Sequence, residues 1–332
     1  MSPAPSDDAP LSTASPRRVV VLTGASSGIG RATALAFARH GAALVLASRS
    51  AESLEPVSMA CERAGVPVLA VPTDVADAGA MKALADAALA RFGRIDVWVN
   101  GVGVGAVGRF EDTPAEAHKR VLECNLLGHL NGCHAAMPHF RAQRHGLLVN
   151  MISLGGWIPT PYAAAYVASK FGVRGLSEAL RSEVSDLRDV HICDVAPTFV
   201  DTPGLAHGAN YTGRTLRPPP PLIDPRRVAE AIVRLCDRPR DVTWIGAPAL
   251  PGRIAYALAP RLVGRTMRAF IDWALRRSTP APITDGNLYG ASRGNAVDGG
   301  HREGQAGLTA AGAGLAAVGL ACALWAWQRR GR

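Results

Sequence analysis

Two hydrophobic rhythms alternate along most of this chain. Short runs such as Val19-Val-Val-Leu22 and Ala43-Leu-Val-Leu-Ala47 are apolar throughout rather than at every second position. That pattern belongs to strands buried on both faces of a parallel sheet. Runs at 66–71, 95–99, 147–152, 190–195 and 242–245 repeat it. Between them, apolar residues recur at helical spacing over 31–39, to about 64, over 77–92 and 114–137, and from Tyr166 to about 187. Successive strand–helix units predict an α/β fold built as a doubly wound parallel sheet with right-handed crossovers. Ligands of such sheets bind at the carboxyl ends of the strands.

The residues at those ends carry the chemistry. The first strand runs into Thr23-Gly24-Ala25-Ser26-Ser27-Gly28-Ile29-Gly30 and then into a helix. Glycines in that context permit a tight turn and let the backbone approach a pyrophosphate at the helix N-terminus, as in a Rossmann fold. The second strand closes on Ser48-Arg49-Ser50, with no carboxylate among the three. An acid there would favour NAD, whereas an arginine accommodates the 2′-phosphate of NADP. NADP(H) is therefore expected over NAD(H). Tyr166 and Lys170 are four residues apart and share one helix face. A phenol titrates near pH 10 in water, and a fixed positive charge beside it favours the phenolate.

Composition narrows the class. The 332-residue chain is 48% hydrophobic and 5% aromatic, enough aliphatic material for a large α/β core. Its formal charge of +9 raises nucleic acid or an anionic membrane as partners. No basic-aromatic groove accompanies it, and much of the excess lies in 251–284, so nucleic acid is not expected. Cys61, Cys124, Cys133, Cys193, Cys236 and Cys322 are scattered without a CxxC and read as reduced core thiols. His118, His129, His134, His139 and His145 form no HExxH or Cys/His cluster; they read as surface or core histidines, and no metal is expected. Residues 1–17 lack a basic n-region and an apolar h-region and read as a disordered lead-in, leaving the catalytic part in the cytosol.

In order along the chain, these residues resemble a short-chain dehydrogenase/reductase over roughly 18–247, with a catalytic domain at 18–250. The glycine turn matches the family's cofactor turn, and Asp74-Val75 the position that holds the adenine. Ser153, thirteen residues before Tyr166, completes a Ser/Tyr/Lys/Asn tetrad with Tyr166, Lys170 and Asn125. Pro197-Thr198-Phe199-Val200-Asp201-Thr202 resembles the segment that holds the nicotinamide. The resemblance implies hydride transfer between the nicotinamide and a carbonyl or alcohol carbon. Tyr166 would be the acid/base, and Lys170 would hold the ribose and depress the Tyr166 pKa. Ser153 would bond the substrate oxygen, and Asn125 would keep a water in line with Lys170. Cofactor binding would fall to Gly24, Ser26, Gly28, Ile29, Gly30, Arg49, Asp74, Val75, Asn100, Tyr166, Lys170, Pro197, Val200 and Thr202. A homo-oligomer is implied as well. Ser153 lacks the G-x-S-x-G elbow of a hydrolase nucleophile, and Tyr162 has no lysine four residues on. Two positions depart from the family pattern: Gly101, which would loosen support behind the cofactor, and Thr198, which replaces a glycine.

The loop at 202–225, with Tyr211 and the run Pro218 to Pro221, corresponds to the family's substrate cover, and its apolar content suggests an apolar substrate. Beyond it, Arg261, Arg265, Arg268 and Arg276 recur at helical spacing, with Leu262, Val263, Met267, Phe270, Trp273 and Ala274 mostly on other faces. This basic amphipathic extension, 251–284, suits an anionic membrane surface or a helix packed on the domain. Residues 285–306 read as a Gly-rich flexible linker. Residues 307–327 carry no charge, end in Trp325 and Trp327, and are long enough to cross about 30 Å of hydrocarbon as a transmembrane helix. The arginines that follow would favour the opposite orientation; either the large domain decides for a cytoplasmic one, or the segment dips into the membrane without crossing it. The expected protein is a membrane-associated NADP(H)-dependent oxidoreductase of apolar alcohols, ketones or aldehydes. The alternative is a membrane-attached dinucleotide-binding scaffold or redox sensor without turnover.

Overall fold

Runs that are apolar at every position become the interior of one sheet. The computed structural model describes residues 18–246, 249–291 and 294–302. The first half alternates β1 (Val19–Thr23), α1 (Gly28–Arg39), β2 (Ala43–Ser48), α2 (Ala51–Arg63), β3 (Val68–Pro72), α3 (Ala78–Phe92) and β4 (Val97–Asn100). A short β5 (Ala106–Val107) leads to α4 (Ala115–Leu122), a π-helical turn (Glu123–Leu127) and α5 (Gly128–Gln143). Then come β6 (His145–Met151), a 3-10 turn (Leu154–Gly156), α6 (Ala164–Glu183) and β7 (Asp189–Pro197). The chain continues through α7 (Gly204–His207), β8 (Ala209–Asn210), α8 (Pro225–Leu235), β9 (Val242–Ile245), α9 (Ala249–Leu258) and α10 (Pro260–Arg277).

Seven strands pair in the order β3-β2-β1-β4-β6-β7-β9, all parallel. This is the expected doubly wound sheet. Successive residues of a strand face opposite sides, so Val20 and Leu22 join one core with Phe37 of α1 and Val228 and Ile232 of α8. Val21 and Trp98 join the other, with Leu84 of α3 and Phe140 of α5. The strand order reverses between β1 and β4, which opens the ligand crevice at their carboxyl ends.

Three local differences from the expected elements matter for function. Helix α1 begins at Gly28, inside the glycine turn, rather than at residue 31. The single helix expected over 114–137 is broken by the π turn around Asn125; such insertions recur at functional sites because they turn one residue out of register. The apolar stripe of α10 is divided. Val263 and Met267 pack on the cluster of Ile152, Trp157 and Ile158, while Phe270 and Trp273 stay exposed.

The stretch read as a flexible linker lies, over its described residues, against the domain: Leu288 is fully buried, and Gly28 N donates to Ala296 O at 2.9 Å. Among the described residues no helix is long and apolar enough to cross a membrane. The candidate span 307–327 lies outside them, as does the lead-in 1–17.

Candidate active site

The site is built where the glycine turn, the ends of β2, β4, β6 and β7, and the start of α6 converge. Gly24 has a φ of +72°, and a Cβ on Gly30 would lie 1.9 Å from the Gly24 carbonyl oxygen. Only bare backbone fits there, and it leaves the N-terminal amides of α1 at the floor of the crevice. Ser26 and Ile29 flank the turn, half-buried, with Ile29 packed on the core. The residues present fit the pyrophosphate of a dinucleotide. Thr202 arrives from the loop after β7, its side-chain carbons 3.3 Å from where a Gly28 Cβ would be. Pro197 ends β7, and Val200 bridges to Ile223.

At the β2 end, Arg49 donates to the carbonyls of Asn287 at 2.7 Å and Leu288 at 3.0 Å. Asp74 accepts from Arg120 at 2.6 Å and from Ala76 N at 3.0 Å. Burial works against its charge, but these donors outweigh it and hold the carboxyl below its usual range. Val75, beside it, is buried in the core.

At the end of β6, the Ser153 hydroxyl accepts from Gly155 N at 3.2 Å. Tyr166, on the first turn of α6, turns its ring toward the same Gly155 that Ser153 holds: a Cβ on Gly155 would lie 3.3 Å from the Tyr166 ring and 3.7 Å from Ser153 Oγ. Lys170, one turn further, is 2% exposed and donates to Met151 O at 2.8 Å. Its ammonium lies 5.7 Å from the centroid of the Tyr166 ring. Spacing therefore places these three together. The electrostatics differ from the expectation that Lys170 simply depresses Tyr166. Burial pushes the phenol above its ordinary value, with the nearby Ser153 hydroxyl opposing. Burial also pushes Lys170 down, to about 7. Desolvation penalises whichever form is charged, and both groups lie deep.

The Asn125 side chain is committed to its neighbours. Its Oδ1 accepts from Val104 N at 2.8 Å, and its Nδ2 donates to Val104 O at 2.9 Å and Ser169 Oγ at 3.2 Å. The amide thus clamps the loop after β4, whose Gly103 faces the Lys170 ammonium. Asn100, expected at the cofactor, is a strut instead. Its amide accepts from Trp98 Nε1 at 2.8 Å and donates to Asn150 Oδ1 at 2.9 Å and His129 O at 3.3 Å. Both amide hydrogens are spent inside the core. Gly101 does not loosen this region. A Cβ there would sit 2.5 Å from Thr23 O, and its N donates to the Thr23 hydroxyl at 3.0 Å. Thr198 packs against residue 246, a glycine.

His129, read from the sequence as a surface or core histidine, lies in the core. It is 1% exposed, and burial, aided by the nearby Lys170 charge, lowers its pKa to about 3. The neutral ring beside Lys170 adds no second charge to the site. A lone histidine on a helix gives no sequence signal for this.

A model of the short chain dehydrogenase family matches residues 18–210. The chain belongs to that family. The short-chain dehydrogenase is 32% identical over 281 residues to the uncharacterized oxidoreductase YxnA of Bacillus subtilis, covering 83% of this chain and 79% of that protein. It is 36% identical over 188 residues to 3beta-hydroxysteroid dehydrogenase 1 of Eggerthella lenta, covering 56% and 72% of the two chains. Among solved structures it is similar to an alcohol dehydrogenase of Thermococcus sibiricus complexed with 5-hydroxy-NADP. That likeness has a TM-score of 0.61 and 30% identity, over 69% of this chain and 95% of that one. The protein is an oxidoreductase of this family, with a nicotinamide dinucleotide as its cofactor.

Proposed function

We propose that this short-chain dehydrogenase interconverts an apolar alcohol and its ketone or aldehyde, with NADP(H) as cofactor and Tyr166 as acid/base. The observation that carries the reading is the convergence of Ser153, Tyr166 and Lys170 at the crevice where the glycine turn ends. The dinucleotide, when bound, supplies or accepts the hydride at its nicotinamide. In the reducing direction Tyr166 donates its hydroxyl proton to the oxygen that becomes an alkoxide, and in the oxidising direction it removes that proton. A phenol kept neutral by burial is the competent donor at neutral pH. Ser153, on the same side of the crevice as Tyr166, orients the same oxygen and stabilises charge developing there. Lys170, near half-protonation at pH 7, can return a proton to Tyr166. Met151 O holds the Lys170 ammonium, which lies beside Gly103 on the loop that Asn125 clamps.

NADP is favoured by Arg49 and by the absence of a carboxylate within Ser48-Arg49-Ser50. The bound NADP analogue of the Thermococcus sibiricus enzyme supports the same choice. An apolar substrate is favoured by the cluster of Val104, Ala165 and Tyr211 that packs on Tyr166, and by the steroid named for the Eggerthella lenta relative. Membrane association through 307–327 belongs to this reading on sequence grounds alone, and carbonate-resistant sedimentation of the expressed protein with membranes tests it. The catalytic claim is tested by NADPH and NADH consumption over a panel of apolar ketones and aldehydes, beside Tyr166→Phe. Turnover that survives in Tyr166→Phe would assign the acid to another group.

A further inference from the structure

Residues 285–291 and 294–302 carry carbonyls, not phosphates, yet at the β2 end and the glycine turn they meet donors that a dinucleotide would, and they go on to donate to the loop after β7. At the β2 end Arg49 donates to Asn287 O and Leu288 O, and Arg120 donates to Leu288 O at 3.1 Å. At the glycine turn Gly28 N donates to Ala296 O at 2.9 Å, and Arg31 donates to Asn295 O. At the loop after β7, Gly299 N donates to the buried Asp201 carbonyl at 3.1 Å, and His301 N and the Arg302 guanidinium bond the Asp201 carboxylate at 3.0 and 3.1 Å. Adenosine end, pyrophosphate turn and nicotinamide loop are thus visited in the order in which a bound dinucleotide runs.

The segment is anchored rather than merely laid down. The Leu288 side chain is fully buried among Val104, Ala106, Val121 and Tyr211. Val297 packs on the core beneath α1 and α8. Asp285 accepts from the Tyr211 hydroxyl at 2.5 Å. Asp298 accepts from Arg226 at 2.7 Å, and Arg302 also pairs with Asp224 at 2.6 Å.

We propose that the described residues 285–291 and 294–302 are a strap which occupies the dinucleotide crevice, its backbone carbonyls taking the donors of Gly28, Arg31 and Arg49, so that cofactor binding requires its displacement. This rests on the reading of that crevice as the cofactor site. Neutral carbonyls satisfy these donors, whereas phosphate oxygens would make the bond to Gly28 N charge-assisted, about twice as strong, and would turn the contacts of Arg31 and Arg49 into ion pairs. The cofactor therefore wins at a concentration set by the strap's anchors. The strap is an autoinhibitory device tuned by Leu288, Val297 and the Asp298 ion pairs, none of which has a part in the chemistry.

The test is NADPH and NADH affinity by calorimetry on the full chain, beside Leu288→Ala and the milder surface change Asp298→Asn, with hydrogen exchange of 285–302. The expected result is NADPH binding at least tenfold tighter in Leu288→Ala and measurably tighter in Asp298→Asn. In the wild type, NADPH should deprotect 285–302. Weaker binding in both variants, with NADPH raising protection of 285–302, would overturn the strap and make the segment a clamp over bound cofactor. Unchanged affinity in both would overturn it as well, while leaving the cofactor site intact. Failure of every form to bind either dinucleotide would overturn the site reading and the strap together.

Discussion

Replacing Lys170 by methionine should stabilise the fold while destroying catalysis. The ammonium is 2% exposed, and its pKa falls from 10.5 to about 7 on folding. At pH 7 the unfolded chain holds that proton fully and the folded chain about half of it. The displacement is then worth about 4 kcal/mol against folding, at 1.36 kcal/mol per factor of ten. Methionine fills much of the same volume and gives up the bond to Met151 O, a loss of about 1 kcal/mol. The net gain is about 3 kcal/mol at pH 7, or roughly 6 °C in melting temperature for a domain of this size. The sign with pH follows from linkage. Between about 7 and 10.5 the unfolded state binds more protons, so the wild type gains stability as pH rises. The advantage of Lys170→Met should shrink to about 1 kcal/mol by pH 9. Denaturant melts of both proteins at pH 7 and pH 9 read this directly. A variant less stable at pH 7, or a difference that does not change with pH, would refute the burial account of Lys170.

Other consequences are as concrete. Tyr166→Phe should lower kcat by at least about 100-fold and leave dinucleotide affinity nearly unchanged, as calorimetry on the variant would show. Arg49→Glu should invert the preference between NADPH and NADH in kcat/KM; unchanged preference would remove Arg49 as the selector. Gly30→Ala forces a Cβ within 1.9 Å of Gly24 O, so dinucleotide binding should be lost and the melting temperature should drop. Asn100→Leu strands the Trp98 Nε1 proton and the Asn150 carbonyl and should destabilise by about 2–4 kcal/mol in denaturant melts.

Much of the fold could be read from periodicity because the strands are buried on both faces. Runs such as Val19 to Leu22 have no alternative use for so many apolar residues, and β1 is buried throughout. The Tyr166 and Lys170 pair was legible too, since i, i+4 spacing fixes a helix face, and Ser153 joined it through the family resemblance. What sequence left out depends on tertiary surroundings. The π turn at Asn125 carries no composition signature, and it is the double bond to Val104 that holds the turned-out side chain. The titration of Lys170 and His129 is set by burial that no local pattern encodes. Residues 285–302 read as a linker because glycines and polar residues dominate there. Their contacts with Arg49 and Gly28 run through backbone carbonyls, which every sequence possesses.

The central claim is hydride transfer to a carbonyl carbon at Tyr166. Its most direct test is single-turnover reaction of the full-length protein with NADPH deuterated at nicotinamide C4 and an apolar ketone, followed by mass spectrometry of the product. The account predicts one deuterium on the carbinol carbon, formed by the wild type and lost in Tyr166→Phe. Deuterium that never leaves a tightly bound cofactor, across the whole ketone and aldehyde panel, would contradict it.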